Sequence, residues 1–160
     1  MALTIKKINQ QDQPVVQEII TRLWGDPSIV AHGNVYQTAD LEGIKATLKG
    51  DIVGVLHYQI KDRECEILSL ASLQENQGVG SALLAAVEDI ARSHNCLKLT
   101  LITTNDNLRA LGFYQRRGFR LTALFPGQVE VSRGIKPSIP IIGENNIPLQ
   151  DELQLEKTIF

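Results

Sequence analysis

The chain has 160 residues, 43% of them hydrophobic and 21% charged, with a net charge of −2 and a pI of about 5.9. That is the balance of one soluble domain of ordinary size, able to bury roughly 68–70% of its unfolded surface. It excludes a basic nucleic-acid footprint, a run of about 20 apolar residues that would span a bilayer, and a signal-peptide pattern, so a cytoplasmic protein without a membrane partner is expected.

Residues 3–8 alternate loosely and predict a first strand. Pro14 suits the first turn of a helix whose apolar face is Val15, Val16, Ile19, Ile20 and Leu23, ending near Trp24 and Gly25. Residues 26–40 hold Pro, Gly, Asn and Asp without periodicity and read as a loop with at most a helical turn. Residues 44–48 and 52–60 are strands flanking the turn Lys49-Gly50-Asp51. The second is nearly all apolar, as for a strand covered on both faces. After a turn at 61–64, residues 65–73 form another strand, with Glu66, Leu68, Leu70 and Ser72 expected on one face.

Residues 78–94 give the cleanest helix, with Val79, Ala82, Leu83, Ala86, Val87, Ile90 and Ala91 in register for one side. Residues 97–102 are a strand. Asn105 or Asp106 is expected to cap a helix over 107–117, and Gly118 suits the left-handed position beyond it. Residues 119–124 are a strand, 129–135 a short helix within a Pro- and Gly-rich stretch, and 153–159 a final strand. With no repeat or linker, residues 1–160 read as a single domain: a mixed α/β sheet with helices on both faces. Cys65 and Cys96 lie in apolar runs, lack CxxC spacing and read as buried free thiols, with no metal implied.

The chemistry begins at Glu75-Asn76-Gln77-Gly78-Val79-Gly80-Ser81, where a strand hands over to a helix. Helix N-termini present unpaired N–H groups and partial positive charge, and glycine lets a ligand approach the backbone. This predicts an anion site suited to a pyrophosphate, although strand–Gly–helix turns also arise from packing alone. It is not a Walker loop, since no Lys follows Gly80, and it lacks the third glycine of GxGxxG.

The second signal is Asn107-Leu108-Arg109-Ala110-Leu111-Gly112-Phe113-Tyr114-Gln115-Arg116-Arg117-Gly118-Phe119. With it the chain resembles the GNAT acetyltransferase superfamily, which shows Q/R-x-x-G-x-G/A opening a long helix and then N-x-x-A-x-x-(F/L)-Y-x-x-x-G-F. The second pattern is matched at every fixed position, and the likeness is sharp over residues 66–124. The first pattern departs at Glu75, which stands where Gln or Arg is usual, with Gln77 two residues late.

The resemblance implies a GNAT-like acyl-CoA N-acyltransferase fold, a mostly antiparallel mixed sheet with splayed central strands. It implies acetyl-CoA as co-substrate, with the pyrophosphate on the amides of Gln77, Gly78, Val79, Gly80 and Ser81. The pantetheine arm would pair with backbone groups of Leu70 and Ser72, one of whose N–H groups could polarise the thioester. Asn107 would bond the CoA arm, and Arg116 would reach a phosphate or remain a solvated helix-end charge. Tyr114 would be the general acid, against the plainer reading of a half-buried tyrosine. Glu66 would be the general base, with His57 or a water chain as alternatives; a histidine in an apolar strand is more often a core residue.

His32 and Trp24 lie where the family borders its acceptor pocket. Glu144, Asp151 and Glu152 add acidity that would suit a cationic amine, with solvated surface as the ordinary reading. Residues 127–151 are long for a plain connection and suit a lid or dimer contact. The resemblance admits a homodimer and a small-molecule or peptide amine as acceptor. A non-catalytic acyl-CoA sensor would need the glycine loop and Asn107 but no phenol at 114. A nucleotide-binding domain would be stabilised by ATP or NAD rather than CoA.

Overall fold

A computed structural model describes residues 2–74 and 77–160. The chain divides into two compact units, Met1–Ile29 with Tyr36–Leu99 and Ile159–Phe160, and Val30–Val35 with Thr100–Thr158.

The first unit is built on β1 (Thr4–Lys7), β4 (Glu42–Leu48), β5 (Asp51–Lys61) and β6 (Glu64–Ser72), adjacent in that order and antiparallel throughout. Short turns set this order. Lys49 and Gly50, at φ 53° and 84°, join β4 to β5. Asp62 and Arg63, at φ 53° and 62°, join β5 to β6 in the same left-handed turn geometry. Helix α1 (Gln13–Trp24) starts with Pro in its first turn and stops at Gly25, φ 91°. Its Val16, Ile19 and Ile20 pack with Val55 and Ala71, one face of the sheet. Each such side chain contributes about 1.5–3 kcal/mol when fully buried.

Helix α2 (Val79–Ser93) covers the other face with Val79, Leu83, Leu84, Val87 and Ala91 buried. It approaches so closely that a Cβ on Gly54 would collide with Val79 and come within 3.0 Å of Leu83. Gly54 therefore marks the α2 side of β5, and Val55 the α1 side.

Strand β6 does not alternate evenly. His57 faces Ser69 and Tyr58 faces Ile67, so Leu68 is an extra residue, a β-bulge. Directly opposite residues share a face. Ser69 and Ala71 therefore lie with His57 and Val55 on the α1 side, and Leu70 and Ser72 with Leu56 and Gly54 on the α2 side. Glu66, opposite Gln59, returns to the α1 side. The expectation that Glu66, Leu70 and Ser72 share a face is thus corrected by one inserted residue.

The segment 26–40, read from sequence as a loop, contains a hairpin of β2 (Ser28–Ala31) and β3 (Asn34–Gln37). Its tip is His32 and Gly33, both at positive φ.

The second unit orders its strands β7 (Lys98–Thr104), β9 (Glu152–Thr158), β8 (Arg120–Phe125). Helix α3 (Leu108–Arg116) is capped by Asn107, whose Oδ1 accepts the Ala110 N–H at 3.1 Å. Asn105 and Asp106, the caps expected from sequence, are used elsewhere. Asn105 Oδ1 accepts the N–H groups of Gln150 and Asp151, and Asp106 Oδ2 accepts that of Glu144 at 2.8 Å. Gly143 lies so close to this carboxylate that a Cβ there would overlap it.

Between β8 and β9 the chain forms α4 (Gln128–Ile135) and then a loop gathered around Arg133. The Arg133 guanidinium donates to the carbonyls of Ile139, Pro140 and Leu149 at 2.8–3.1 Å, and pairs with Glu130. The long connection is therefore held by side chain–backbone bonds, with one isolated bridge between Ile142 and Pro148.

Candidate active site

Glu66, Leu70, Ser72 and 77–81 lie in the first unit, and Asn107, Tyr114 and Arg116 in the second. Glu75, the departure from the glycine-loop pattern, falls outside the described residues.

At the head of α2, Gly78 has φ 73°, and nothing lies within 4 Å of where its Cβ would stand. Glycine is needed there for its backbone conformation, not for space. Among the described residues no side chain caps this end, and the first helical bond is from Ala82 N–H to the Gly78 carbonyl. The amides ahead of Ala82 point out of the helix with the positive end of its dipole. Gln77 and Gly78 are exposed, Val79 is buried in the core, and Gly80 and Ser81 are half-buried. Leu70 is half-buried; Ser72 is exposed, and its hydroxyl donates to the Gln74 carbonyl.

Glu66 is half-buried on the α1 face. On the same face, His57 is 0% exposed. Its Nδ1 lies 2.7 Å from Ser69 Oγ, which also accepts the His57 backbone N–H. Its ring sits over Gly43, where a Cβ would come within 3.0 Å of Cδ2. Nε2 is buried without a hydrogen-bond partner among the described residues. Desolvation lowers the imidazole pKa to about 4, so it is neutral at physiological pH. This is the geometry of a core histidine, closed to an incoming amine. Burial likewise raises the Cys65 thiol to about 12, and both cysteines are free and buried.

In the second unit, Tyr114 is only 7% exposed, its ring edge-on to Phe113 at 5.2 Å and Phe119 at 5.4 Å. Burial pushes its phenol above the usual range and keeps it protonated, as a proton donor requires. Asn107 spends its oxygen on the cap, which leaves its amide nitrogen as the group available to a ligand. Arg116 is exposed and folds back along its own helix, within 2.9 Å of a Cβ built on Gly112. Arg117 is stacked on Phe113 at 3.7 Å.

The acidic residues near the end divide. Glu144 is exposed, and Asp151 accepts the Gly127 N–H at 2.9 Å. Glu152 is 3% exposed, against the expectation of solvated surface. Its side chain meets the hairpin-tip His32, a pairing that sequence proximity could not signal.

The family model for the acetyltransferase (GNAT) family matches residues 16–119, and the chain belongs to that family. It is an acetyl-CoA-dependent acyltransferase. Among relatives, it is 39% identical over 152 residues to "Uncharacterized protein YdhI" of Bacillus subtilis (strain 168), covering 94% of this chain and 95% of that one. The fold is similar to that of the IAA acetyltransferase from Bacillus cereus ATCC 14579, with a TM-score of 0.75 at 20% identity over 98% of this chain and 99% of that one. It is also similar to a Bacillus subtilis acetyltransferase in complex with CoA, with a TM-score of 0.72 at 17% identity over 99% of this chain and 100% of that one.

Proposed function

We propose that residues 1–160 act as one domain that transfers the acetyl group of acetyl-CoA to a primary amine by direct attack. The amine nitrogen bonds to the thioester carbon, the C–S bond breaks, and the leaving thiolate takes the Tyr114 phenolic proton. Glu66 accepts the proton that the attacking amine must lose. The pyrophosphate is held by the amides of Gln77, Gly78, Val79, Gly80 and Ser81, and the CoA arm by Leu70, Ser72 and Asn107, with Arg116 toward a phosphate. The acceptor is a small-molecule or peptide amine.

The observation that carries this reading is the head of α2. A left-handed glycine opens a helix that no side chain caps among the described residues, within the span matched by the family. The buried, protonated phenol of Tyr114 supports its role as proton donor.

Tyr114→Phe is expected to lower turnover by about 10²-fold with acetyl-CoA binding near normal. Unchanged turnover removes Tyr114 as the acid. Glu66→Gln should abolish the acidic limb of the pH–rate profile; an intact limb removes Glu66 as the base.

A further inference from the structure

Strand β7 ends at Thr104 and α3 begins at Leu108, so residues 105–107 are the joint between them. The last of these, Asn107, is the cap. The first two are tied to the segment 144–151. The Asn105 N–H donates to the Asp151 carbonyl, and its side-chain amide to the Pro148 carbonyl at 2.9 Å. Asp106 is 5% exposed, and both of its carboxylate oxygens are engaged. Oδ1 accepts the Thr104 hydroxyl, and Oδ2 accepts the Glu144 N–H at 2.8 Å. The Asp106 carbonyl accepts the Leu108 N–H at 3.0 Å and the Asn145 side-chain amide at 3.1 Å. One residue thus binds the end of β7, the start of α3 and the later segment together.

That segment is shaped to receive the carboxylate. Gly143 has φ −93°, so glycine is needed there for space and not for a left-handed backbone. A Cβ would overlap Asp106 Oδ2 and stand 2.7 Å from Cγ. Asn145 and Asn146, both left-handed at φ 58° and 59°, bend the chain just beyond.

We propose that Asp106 is a positioning residue for the cofactor. It fixes the direction in which α3 leaves β7, and through it the aim of the Asn107 amide at the CoA arm. This rests on the proposed contact between Asn107 and CoA. Asn107 has little freedom of its own. Its N–H donates to the Thr104 carbonyl at 3.1 Å, and its Oδ1 is held by the Ala110 N–H. Its amide nitrogen therefore points wherever the joint as a whole turns it. A shift of about 0.5 Å takes a hydrogen bond of ordinary length out of range.

Calorimetry with CoA on the full chain tests this through a double-mutant cycle. Asp106→Ala is expected to weaken CoA binding about three- to tenfold, the range of one hydrogen bond. Asp106→Asn should bind as the wild type does. Its oxygen can still accept the Glu144 N–H, while the Thr104 hydroxyl turns to accept its amide. Asn107→Ser keeps a capping oxygen but has no amide, and should bind less tightly. In that background Asp106→Ala should cost no more than about a further twofold, because the contact it aims is already gone. An equal loss from Asp106→Ala in both backgrounds overturns the proposal and makes the clamp structural alone. Normal binding by Asp106→Ala beside a weakened Asn107→Ser also overturns it, and leaves the Asn107 contact standing. Wild-type binding by Asn107→Ser removes that contact, and the proposal with it. Gly143→Ala displaces the same carboxylate from the opposite side, and should show the same dependence on Asn107 if Asp106→Ala fails to fold.

Discussion

The two helices that carry the family motifs begin in opposite ways. Helix α3 is closed by its own sequence: Asn107 supplies the cap, and its side chain is fixed by that duty. Helix α2 is headed by a left-handed glycine, Gly78, which brings no side-chain cap. The difference teaches that one N-terminus is a structural joint, while the other is where the proposed function puts an anion, although both follow a strand. A capped end satisfies its donors before any ligand arrives, whereas an open one relies on water or an anion.

The comparison must be made at a pH where the rest of the fold is steady. His57 sets that condition, with the largest expected effect. Its folded pKa, about 4, lies below the unfolded 6.5, so between these values the unfolded chain binds the extra proton. Stability is full above pH 6.5 and falls by about 3 kcal/mol on acidification to pH 4. Denaturant titrations across that window check it, and a flat profile contradicts the neutral buried imidazole.

Above pH 6.5, acetyl-CoA at 100 times its dissociation constant should stabilise the chain by about 2.7 kcal/mol in a thermal melt. Gly78→Val, which forces a branched side chain to φ 73°, should cost about 1–3 kcal/mol by itself and remove most of that ligand effect. A variant that melts like the wild type with acetyl-CoA breaks the anion-site reading.

At the other helix, Asn107→Ala should cost about 1 kcal/mol without ligand, and more with acetyl-CoA present because the amide donor is lost too. Asn107→Asp restores the cap but lacks the amide donor, so it should recover stability and still bind CoA less tightly. Equal affinity in the Asp variant removes the CoA contact from Asn107. The smallest effect is expected at exposed Arg116. Arg116→Ala should change stability by no more than about 0.5 kcal/mol and CoA affinity by roughly two- to fivefold. An unchanged affinity takes Arg116 out of the cofactor set.

What could be read from sequence was local. The periodicity of α2, the Lys49-Gly50 turn, the Gly25 and Gly118 stops and the short helix near 129–135 all follow from neighbouring residues, and the structure repeats them. What could not be read depends on distant partners. Asn105 and Asp106 are good caps by type, but contacts with 144–151 claim them first. The β2–β3 hairpin turns through a histidine at positive φ, with strands of only four residues. The bulge at Leu68 carries no glycine to announce it and is fixed only by pairing with β5. Glu152 alternates like a surface residue, and its burial is legible only with His32, 120 positions earlier, in place.

The Arg133 clasp has a consequence for how the chain meets a protease. Residues 136–149 would offer an obvious nicking site, being long and largely without ladder pairing. With three of its carbonyls drawn to one guanidinium, the loop resists opening into the extended form that a protease cleft needs. Limited digestion should therefore spare it in the native protein and cut there first in Arg133→Ala, with the two fragments still associated.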